Sequence, residues 1–395
     1  MADRRRPPVI LQVLPGLQAG GVERGTIEIA AAIAARGGIA LVASNGGRMA
    51  PLVERAGGRH VTLPLRTKNP FAIWRNAGRL ARLIRSEGVD IVHARSRAPA
   101  WSAWLAARRT GAAFITTWHG VYGEDLPFKK RYNAIMARGE RVIAISAFVR
   151  ERVARDYGVD ASRLRVVPRG ADLVDFDPNA VRADRIAECA RAWNVPAGSA
   201  VIMLAGRITP WKGHALLLEA LAMLGRDVPD WVCVLVGAEQ RGRGHGARLV
   251  AQARRLGIGQ KLRFAGHVDD MPAAYGLADV VVVPSLKPEP FGRVVVEAQA
   301  MGKPVVVAAH GAAMETVQHG VSGYLFLPGD AASLAATLAH ALTLDATDRG
   351  NLGHWARAGV AACYSTQAMQ AAAIAVYDEL LPGRPGAPAW RVSSS

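Results

Sequence analysis

Residues 280–300 read Val280-Val281-Val282-Val283-Pro284-Ser285-Leu286-Lys287-Pro288-Glu289-Pro290-Phe291-Gly292-Arg293-Val294-Val295-Val296-Glu297-Ala298-Gln299-Ala300. Four consecutive valines, stopped by Pro284-Ser285, suit a strand buried on both faces, because β-branched side chains pack on a pleated surface and no polar face alternates with them. Pro290 and Gly292 punctuate a turn. A helix is expected from about Phe291 to Met301. Strand, loop and helix in that order make half of a βαβ unit, which belongs to a parallel sheet covered by helices.

The same rhythm extends both ways. Val201–Leu204, Val232–Val236, Leu262–Phe264 and Pro304–Val307 read as further buried strands, and so do Val9–Leu14, Ile39–Ala43, Asp90–His93, Phe114–Thr117 and Arg141–Ile145. Helix-length stretches such as Ile27–Ala35 and Phe71–Ser86 separate them. The pattern pauses over about 172–198, which carries Pro178, Pro196 and Gly198. The expected architecture is α/β, with two doubly wound Rossmann-like domains facing across a cleft. The first spans 1–185 and the second 186–365. An amphipathic helix at about 366–381 crosses back to the first domain, and 382–395 form a loose tail.

A chain of 395 residues has room for two such domains, and with half its residues hydrophobic and 21% charged it is a folding sequence. Cys189, Cys233 and Cys363 are far apart with no C-x-x-C pairing, which argues for a reducing compartment and against a disulfide frame or thiolate zinc site. Arg4-Arg5-Arg6 before Val9–Leu14 mimics a signal peptide only faintly, since the apolar run is short and holds Gln12. No stretch reaches the length of a membrane span. The net charge of +17 is unevenly placed. Residues 1–180 hold 29 Lys and Arg against 15 Asp and Glu, and the remainder 20 against 17. The first half is therefore expected to meet an anionic surface or substrate.

Ligands of open parallel sheets bind beyond the carboxyl ends of the strands, and the polar motifs fall there. Glu289 lies in the loop after Val280–Val283, just ahead of a helix N-terminus whose free N–H groups suit a diphosphate. Glu297 lies one to two turns inside the helix, able to grip vicinal hydroxyls. Ala205-Gly206-Arg207-Ile208-Thr209-Pro210-Trp211-Lys212-Gly213 follows another strand and presents two cations at a strand-to-helix turn.

Glu289 and Glu297, in their E-P-F-G context, match the E-x7-E motif of retaining glycosyltransferases of the GT-B fold, family 4, which the chain resembles from about Val9 to Leu380. The resemblance implies hexose transfer from a nucleotide-diphosphate sugar, UDP- or GDP-linked, with no metal and no cofactor. It implies that Arg207 and Lys212 neutralise the leaving diphosphate, that Glu297 holds the ribose, and that Glu289 faces the sugar with Phe291 and Gly292 beside it. By the same likeness Gly266, His267 and Val268 hold the base through their backbone, Gly20 and Gly21 approach the phosphates, and His119 contacts the transferred sugar. Ser146 reads as a helix N-cap. The Arg-Gly-Ala-Asp at 169–172 departs from the family's usual turn.

Basic residues crowd the first half. Arg95 and Arg97 follow a strand, and Lys129, Lys130 and Arg131 are interleaved with Leu126, Phe128, Tyr132, Ile135 and Met136. They form a candidate acceptor or membrane patch, suited to anionic headgroups at about 1 kcal/mol per cation near the surface. The segment Asp90–Arg97 resembles bacterial members of the family that act on lipopolysaccharide core. The expected acceptor is a lipid-linked or lipopolysaccharide-core glycan, and the expected place is the cytoplasm, peripheral to the inner face of the cytoplasmic membrane. Two alternatives stand beside this reading. A sugar-nucleotide epimerase of the same fold would lack the E-P-F-G and Arg/Lys set. A nucleic-acid-binding protein would interleave its cations with more stacking aromatics than the 6% present, so no nucleic-acid partner is expected.

Overall fold

The structure is a computed structural model and describes residues 6–18, 20–123, 127–239 and 244–381. Arg4, Arg5, Leu126 and the expected tail at 382–395 lie outside the described residues.

The chain divides into two compact units, one made of the residues up to Arg169 together with those from Met369, the other of Gly170–Ala368. The first unit runs β1 (Val9–Val13), α1 (Gly21–Ala35), β2 (Ile39–Ser44), α2 (Ala50–Arg55), β3 (Arg59–Thr62), α3 (Pro70–Glu87), β4 (Ile91–Ala94), α4 (Arg97–Thr110), β5 (Ala113–Trp118), α5 (Pro127–Asn133), β6 (Arg141–Ala144), α6 (Ala147–Tyr157) and β7 (Leu164–Val166). Its strands are all parallel, in the order β3-β2-β1-β4-β5-β6-β7. The second unit runs α7 (Ala183–Ala192), β8 (Ala200–Ala205), α8 (His214–Ala222), β9 (Trp231–Val236), α9 (His245–Arg255), β10 (Leu262–Gly266), α10 (Met271–Leu277), β11 (Val280–Val283), α11 (Arg293–Ala300), β12 (Val305–Ala308), α12 (Ala313–Thr316), β13 (Tyr324–Phe326), α13 (Ala331–Leu342) and α14 (Ala346–Cys363). Its sheet is also parallel, in the order β10-β9-β8-β11-β12-β13. Each sheet is doubly wound, as expected, and its order reverses once, between β1 and β4 and between β8 and β11. Those reversal points are where a doubly wound sheet opens a crevice at its strand ends.

The central strands are buried along their whole length: β1, β4, β5, β9, β11 and β12 expose no residue. That is why their sequences are unbroken apolar runs. Strands β3, β7 and β13 escape the apolar-run reading. Arg-His-Val-Thr in β3 is a partly exposed edge strand, and the other two have three residues each. The expected pause at 172–198 contains α7, whose Ile186 packs against Gly276 of α10. A boundary at 185 would cut that helix. The units part between Arg169 and Gly170, where Gly170 lies against the backbone of Ser365 and Thr366 and Ala171 bridges Ser365.

The final helix α15 (Thr366–Asp378) leaves the second unit at Ala368, and from Met369 it belongs to the first. Met369, Ala373, Ile374, Val376 and Tyr377 are all buried in the same apolar cluster as Ile10, Leu14, Ile29 and Ile91. Just beyond the helix, Glu379 accepts from Arg165 Nε at 2.6 Å and Nη2 at 2.7 Å, a bidentate fork that also gathers Arg141. Ser146 caps α6 by accepting from Val149 N at 3.1 Å. Ser146→Ala is expected to cost about 1 kcal/mol in urea unfolding, the usual worth of an N-cap.

Among the described residues, no helix is long and apolar enough to cross a membrane.

Candidate active site

In the second unit the polar residues gather at the reversal point, beyond the ends of β8 and β11. After β8, Gly206 turns at φ +155 and is followed by exposed Arg207 and the 3-10 turn Pro210–Lys212. Gly213, at φ +75, opens α8, and a Cβ there would overlap the Pro284 carbonyl at the end of β11. The Leu286 N–H donates to the Trp211 carbonyl at 2.7 Å. The two loops are thus locked edge to edge, and glycine at 213 is what lets them meet.

That lock sets Lys212 against Glu289. Lys212 Nζ donates to Glu289 Oε1 at 2.6 Å, and Ser285 Oγ donates to the same oxygen at 2.6 Å. Both side chains of the pair are mostly buried, at 16% and 12% exposure. The Glu289 main chain is held as well: the Ala312 N–H donates to its carbonyl at 3.0 Å, and Gly311, at φ +64, lies so close to it that a Cβ would clash. His310 Nε2 donates to the Ser285 carbonyl at 2.8 Å. A carboxylate fixed through one oxygen leaves the other to a substrate hydroxyl. The lysine beside it is a cation already oriented.

Phe291 is buried edge-on against Tyr364, and Gly292 at φ +82 precedes α11, which no side chain caps. The first N–H groups of the helix are therefore open to an anion. Glu297 sits one turn in. Arg293 Nε donates to its Oε1 at 3.2 Å and the Tyr275 hydroxyl to its Oε2 at 3.2 Å. Burial raises the Tyr275 pKa well above its ordinary value, reinforced by Glu297, so it remains a donor. Gly266 shares the same rim, since Gly237 N donates to its carbonyl at 2.7 Å and Gly237 in turn lies against the Gly206 carbonyl. His267 is exposed and pairs with Asp269 at 3.1 Å; Val268 follows it in the same turn.

Sequence reasoning missed Ser285, Arg293, Tyr275 and His310. Arg293 was within reach, four residues before Glu297 on one helix face. Tyr275, inside α10, and His310, beyond the end of β12, come from other elements and left no local signal.

In the first unit, Gly20 (φ +130) precedes α1 and Gly21 opens it, again with no side-chain cap. His119 follows β5. Its Nδ1 accepts from Arg169 Nη2 at 2.8 Å. Arginine only donates, so the proton of the ring is on Nε2, which is buried without a hydrogen-bond partner among the described residues. Burial, then Arg169, Arg95 and His93, hold its pKa well below 6.5. His119 is a neutral ring whose Nδ1 is held as an acceptor. His93 is buried between the Tyr377 hydroxyl, 2.8 Å from Nδ1, and Thr117 Oγ1, 2.6 Å from Nε2.

The basic patch divides. Lys129, Lys130 and Arg131 are exposed on α5 next to Phe128, which is 81% exposed. Arg97 donates to Asn133 Oδ1 at 2.8 Å and lies 4.0 Å from the Tyr122 ring centre, bound into the unit instead of facing outward. Arg95 is buried and cannot serve a membrane surface, a correction to its place in that patch. The backbone explains it: Arg95 follows β4 directly, at the centre of the sheet, and its N–H donates to the Val13 carbonyl of β1 at 2.9 Å. Among the described residues no three His, Cys, Asp or Glu gather as a metal site.

The buried histidines make stability depend on pH. Burial lowers His93 and His119 well below 6.5, and His214 from 6.5 to about 4. The unfolded chain therefore takes up protons first, and the folded state loses stability as pH falls below 6.5, until about 4 for His214 and further for the others. Each contributes a slope of up to about 1.4 kcal/mol per pH unit. Urea unfolding at pH 7, 6 and 5 should fall on that trend, with a shallower slope for His214→Gln.

The profile of the family described as Glycosyl transferases group 1 matches residues 186–358, and that of Glycosyltransferase Family 4 matches 19–175. A D-inositol 3-phosphate glycosyltransferase of Geodermatophilus obscurus is 35% identical over 328 residues, covering 76% of this chain and 71% of the relative. The chain spans 62% of the length of a second relative of that name, from Catenulispora acidiphila. The crystal structure of a glycosyltransferase from Rickettsia africae matches with a TM-score of 0.89 at 35% identity, over 96% of this chain and 100% of that one. Anabaena Alr3699/HepE, solved in complex with UDP and glucose, matches with a TM-score of 0.80 at 25% identity, over 94% and 100%.

Proposed function

We propose that this chain, which belongs to the group 1 glycosyltransferases of family 4, moves a hexose from a nucleoside-diphosphate sugar to an acceptor hydroxyl with retention at the anomeric carbon. One observation supports the reading: Lys212 and Glu289 are hydrogen-bonded at the reversal point of the second sheet, with Arg207 on the same loop as Lys212 and with the uncapped helix that carries Glu297 just beyond Glu289. The likeness to a protein solved with UDP and glucose supports a uridine donor.

In this mechanism the charge that grows on the diphosphate as the glycosidic bond breaks falls on Arg207, Lys212 and the first N–H groups of α11. A preorganised donor of this kind contributes about 3–4 kcal/mol to the transition state. Glu297 accepts from the ribose hydroxyls, and the free oxygen of Glu289 accepts from a hydroxyl of the sugar. The leaving phosphate takes the acceptor's proton on the same face of the ring, so the cations of the protein suffice and no metal is required. In the first unit, Gly20, Gly21 and His119 Nε2 offer N–H donors to the substrates.

The surplus of basic residues before residue 180 and the exposed cations of α5 support an anionic acceptor. We read it as a lipid-linked glycan, such as a lipopolysaccharide core, met at the inner membrane surface. Hydrolysis measured across a panel of UDP- and GDP-sugars tests the reading. One donor should turn over and release the α-anomer from an α-linked sugar, as read by proton NMR. Release of the inverted anomer, or no turnover of any donor together with no binding of UDP or GDP, would overturn it.

A further inference from the structure

Helix α3 presents an outward stripe that the first unit leaves uncovered. Phe71, Trp74, Arg75, Gly78, Arg82 and Arg85 stand at i, i+3, i+4, i+7, i+11 and i+14, which is one face of a helix. The opposite face, with Ala77, Leu80, Ala81 and Ile84, is buried. Phe71 is 66% exposed and Trp74 58%, and their rings stack with 6.4 Å between centres. Helix α4 extends the surface. The Arg109 guanidinium lies 6.0 Å from the Trp74 ring centre, and Arg85 Nη2 donates to the Arg109 carbonyl at 3.2 Å.

The charge on this surface has one sign. Between Glu54 and Glu124 the chain holds twelve Arg and Lys, and Glu87 and Asp90 are its only acids. Both are engaged elsewhere, Glu87 by Arg59 at 2.5 Å and Asp90 by Arg6 at 2.6 Å. Arg75, Arg82, Arg85, Arg108 and Arg109 are exposed, and no carboxylate among the described residues pairs with them. An aromatic pair set among cations matches the headgroup layer of an anionic bilayer, where the rings reach the acyl boundary and the guanidiniums meet phosphates. A second copy of this chain is a poor cover, because two such faces repel each other. A nucleic acid would need the ring faces for stacking, and these are engaged, by each other and by the Arg75 guanidinium 5.9 Å from the Phe71 centre.

We propose that the face made by α3 and the end of α4 docks the protein on an anionic lipid bilayer, with Phe71 and Trp74 entering the interface and Arg75, Arg82, Arg85 and Arg109 at headgroup depth. The inference rests on the lipid-surface acceptor read above, and it assigns the contact to α3 and α4 instead of the cations of α5. Gly78 offers a clean probe. It lies in the middle of the stripe, and a Cβ there meets nothing within 4 Å. A side chain can be added at the centre of the face without disturbing the core.

The test floats the full chain with vesicles of phosphatidylcholine alone and of phosphatidylcholine mixed with phosphatidylglycerol. The intact protein should bind the anionic vesicles about tenfold or more better than the neutral ones, and high salt should weaken that binding. Gly78→Glu should weaken it about fivefold and the double variant Phe71→Ser, Trp74→Ser about tenfold, while Gly78→Ala matches the intact protein. Brominated lipid should quench tryptophan fluorescence, and Trp74→Phe should remove most of that quenching, which locates the contact independently of the binding variants. No preference for the anionic vesicles, unchanged binding by Gly78→Glu and the double variant, or quenching unaltered by Trp74→Phe would overturn the proposal. A single-stranded oligonucleotide that displaces the protein from the vesicles and binds it more tightly would overturn it in favour of nucleic acid. Binding lost in the triple variant Lys129→Gln, Lys130→Gln, Arg131→Gln but kept in the α3 variants would also overturn it, and would leave the lipid-surface acceptor standing on α5. Donor hydrolysis without vesicles is read in parallel and should stay within about twofold in the α3 variants. Its absence in the intact chain would count against the transferase reading alone.

Discussion

Lys212→Ala is expected to lower turnover about 10³-fold, and Glu289→Gln to do so by a similar factor. Lys212 Nζ and Ser285 Oγ both spend a hydrogen bond on Glu289 Oε1, so the three groups act as a unit. Removing the lysine takes away a cation aimed at the leaving phosphate and leaves the carboxylate mostly buried without its partner. Groups that act as a unit are not additive in their deletions. The double variant Lys212→Ala, Glu289→Ala should therefore be only slightly slower than either single one. Steady-state kinetics with the donor identified by the panel checks both statements. Turnover within about threefold of the intact enzyme in either single variant would remove the pair from the mechanism.

Tyr377→Ala is expected to destabilise the first unit by about 3–5 kcal/mol, the range for truncating a fully buried aromatic side chain. Tyr377 is completely buried on the sheet, stands edge-on to His93 at 5.7 Å between ring centres, and bonds to it through its hydroxyl. Tyr377→Phe keeps the packing and removes one buried hydrogen bond, so it should cost about 1–2 kcal/mol. The ordering of the two variants in urea unfolding is the check. Equal losses would mean that the hydroxyl, and not the ring, fastens this helix.

The parallel architecture was legible wherever strands are buried on both faces, because only there does the sequence reduce to an unbroken β-branched run. Val280–Val283 is read correctly to the residue. Arg59–Thr62 was not legible, since an edge strand keeps polar residues and competes with loops for the same pattern. The stretch around 172–198 was less legible: its prolines and glycines look like a linker, yet Ala183–Ala192 form a helix between them. At the site, residues close in sequence were found and their distant partners were not. Glu289 and Lys212 were each visible as motifs, but the hydrogen bond between them follows from Gly213 fitting under Pro284, a tertiary fact. Arg95 shows the opposite error. Its charge suggested the surface, whereas its position one residue past a central strand fixes it inside.

The route of α15 also orders the events of synthesis. The second unit is one continuous stretch, Gly170–Ala368, and holds all of its own core when its last residue leaves the ribosome. The first unit is translated earlier and finishes later. Its sheet lacks Met369, Ile374 and Tyr377 until nearly the whole chain has emerged, so the nascent protein carries an uncovered apolar face through most of its translation. Such a face is a binding site for chaperones during those seconds, and the unit made first is the one that matures last.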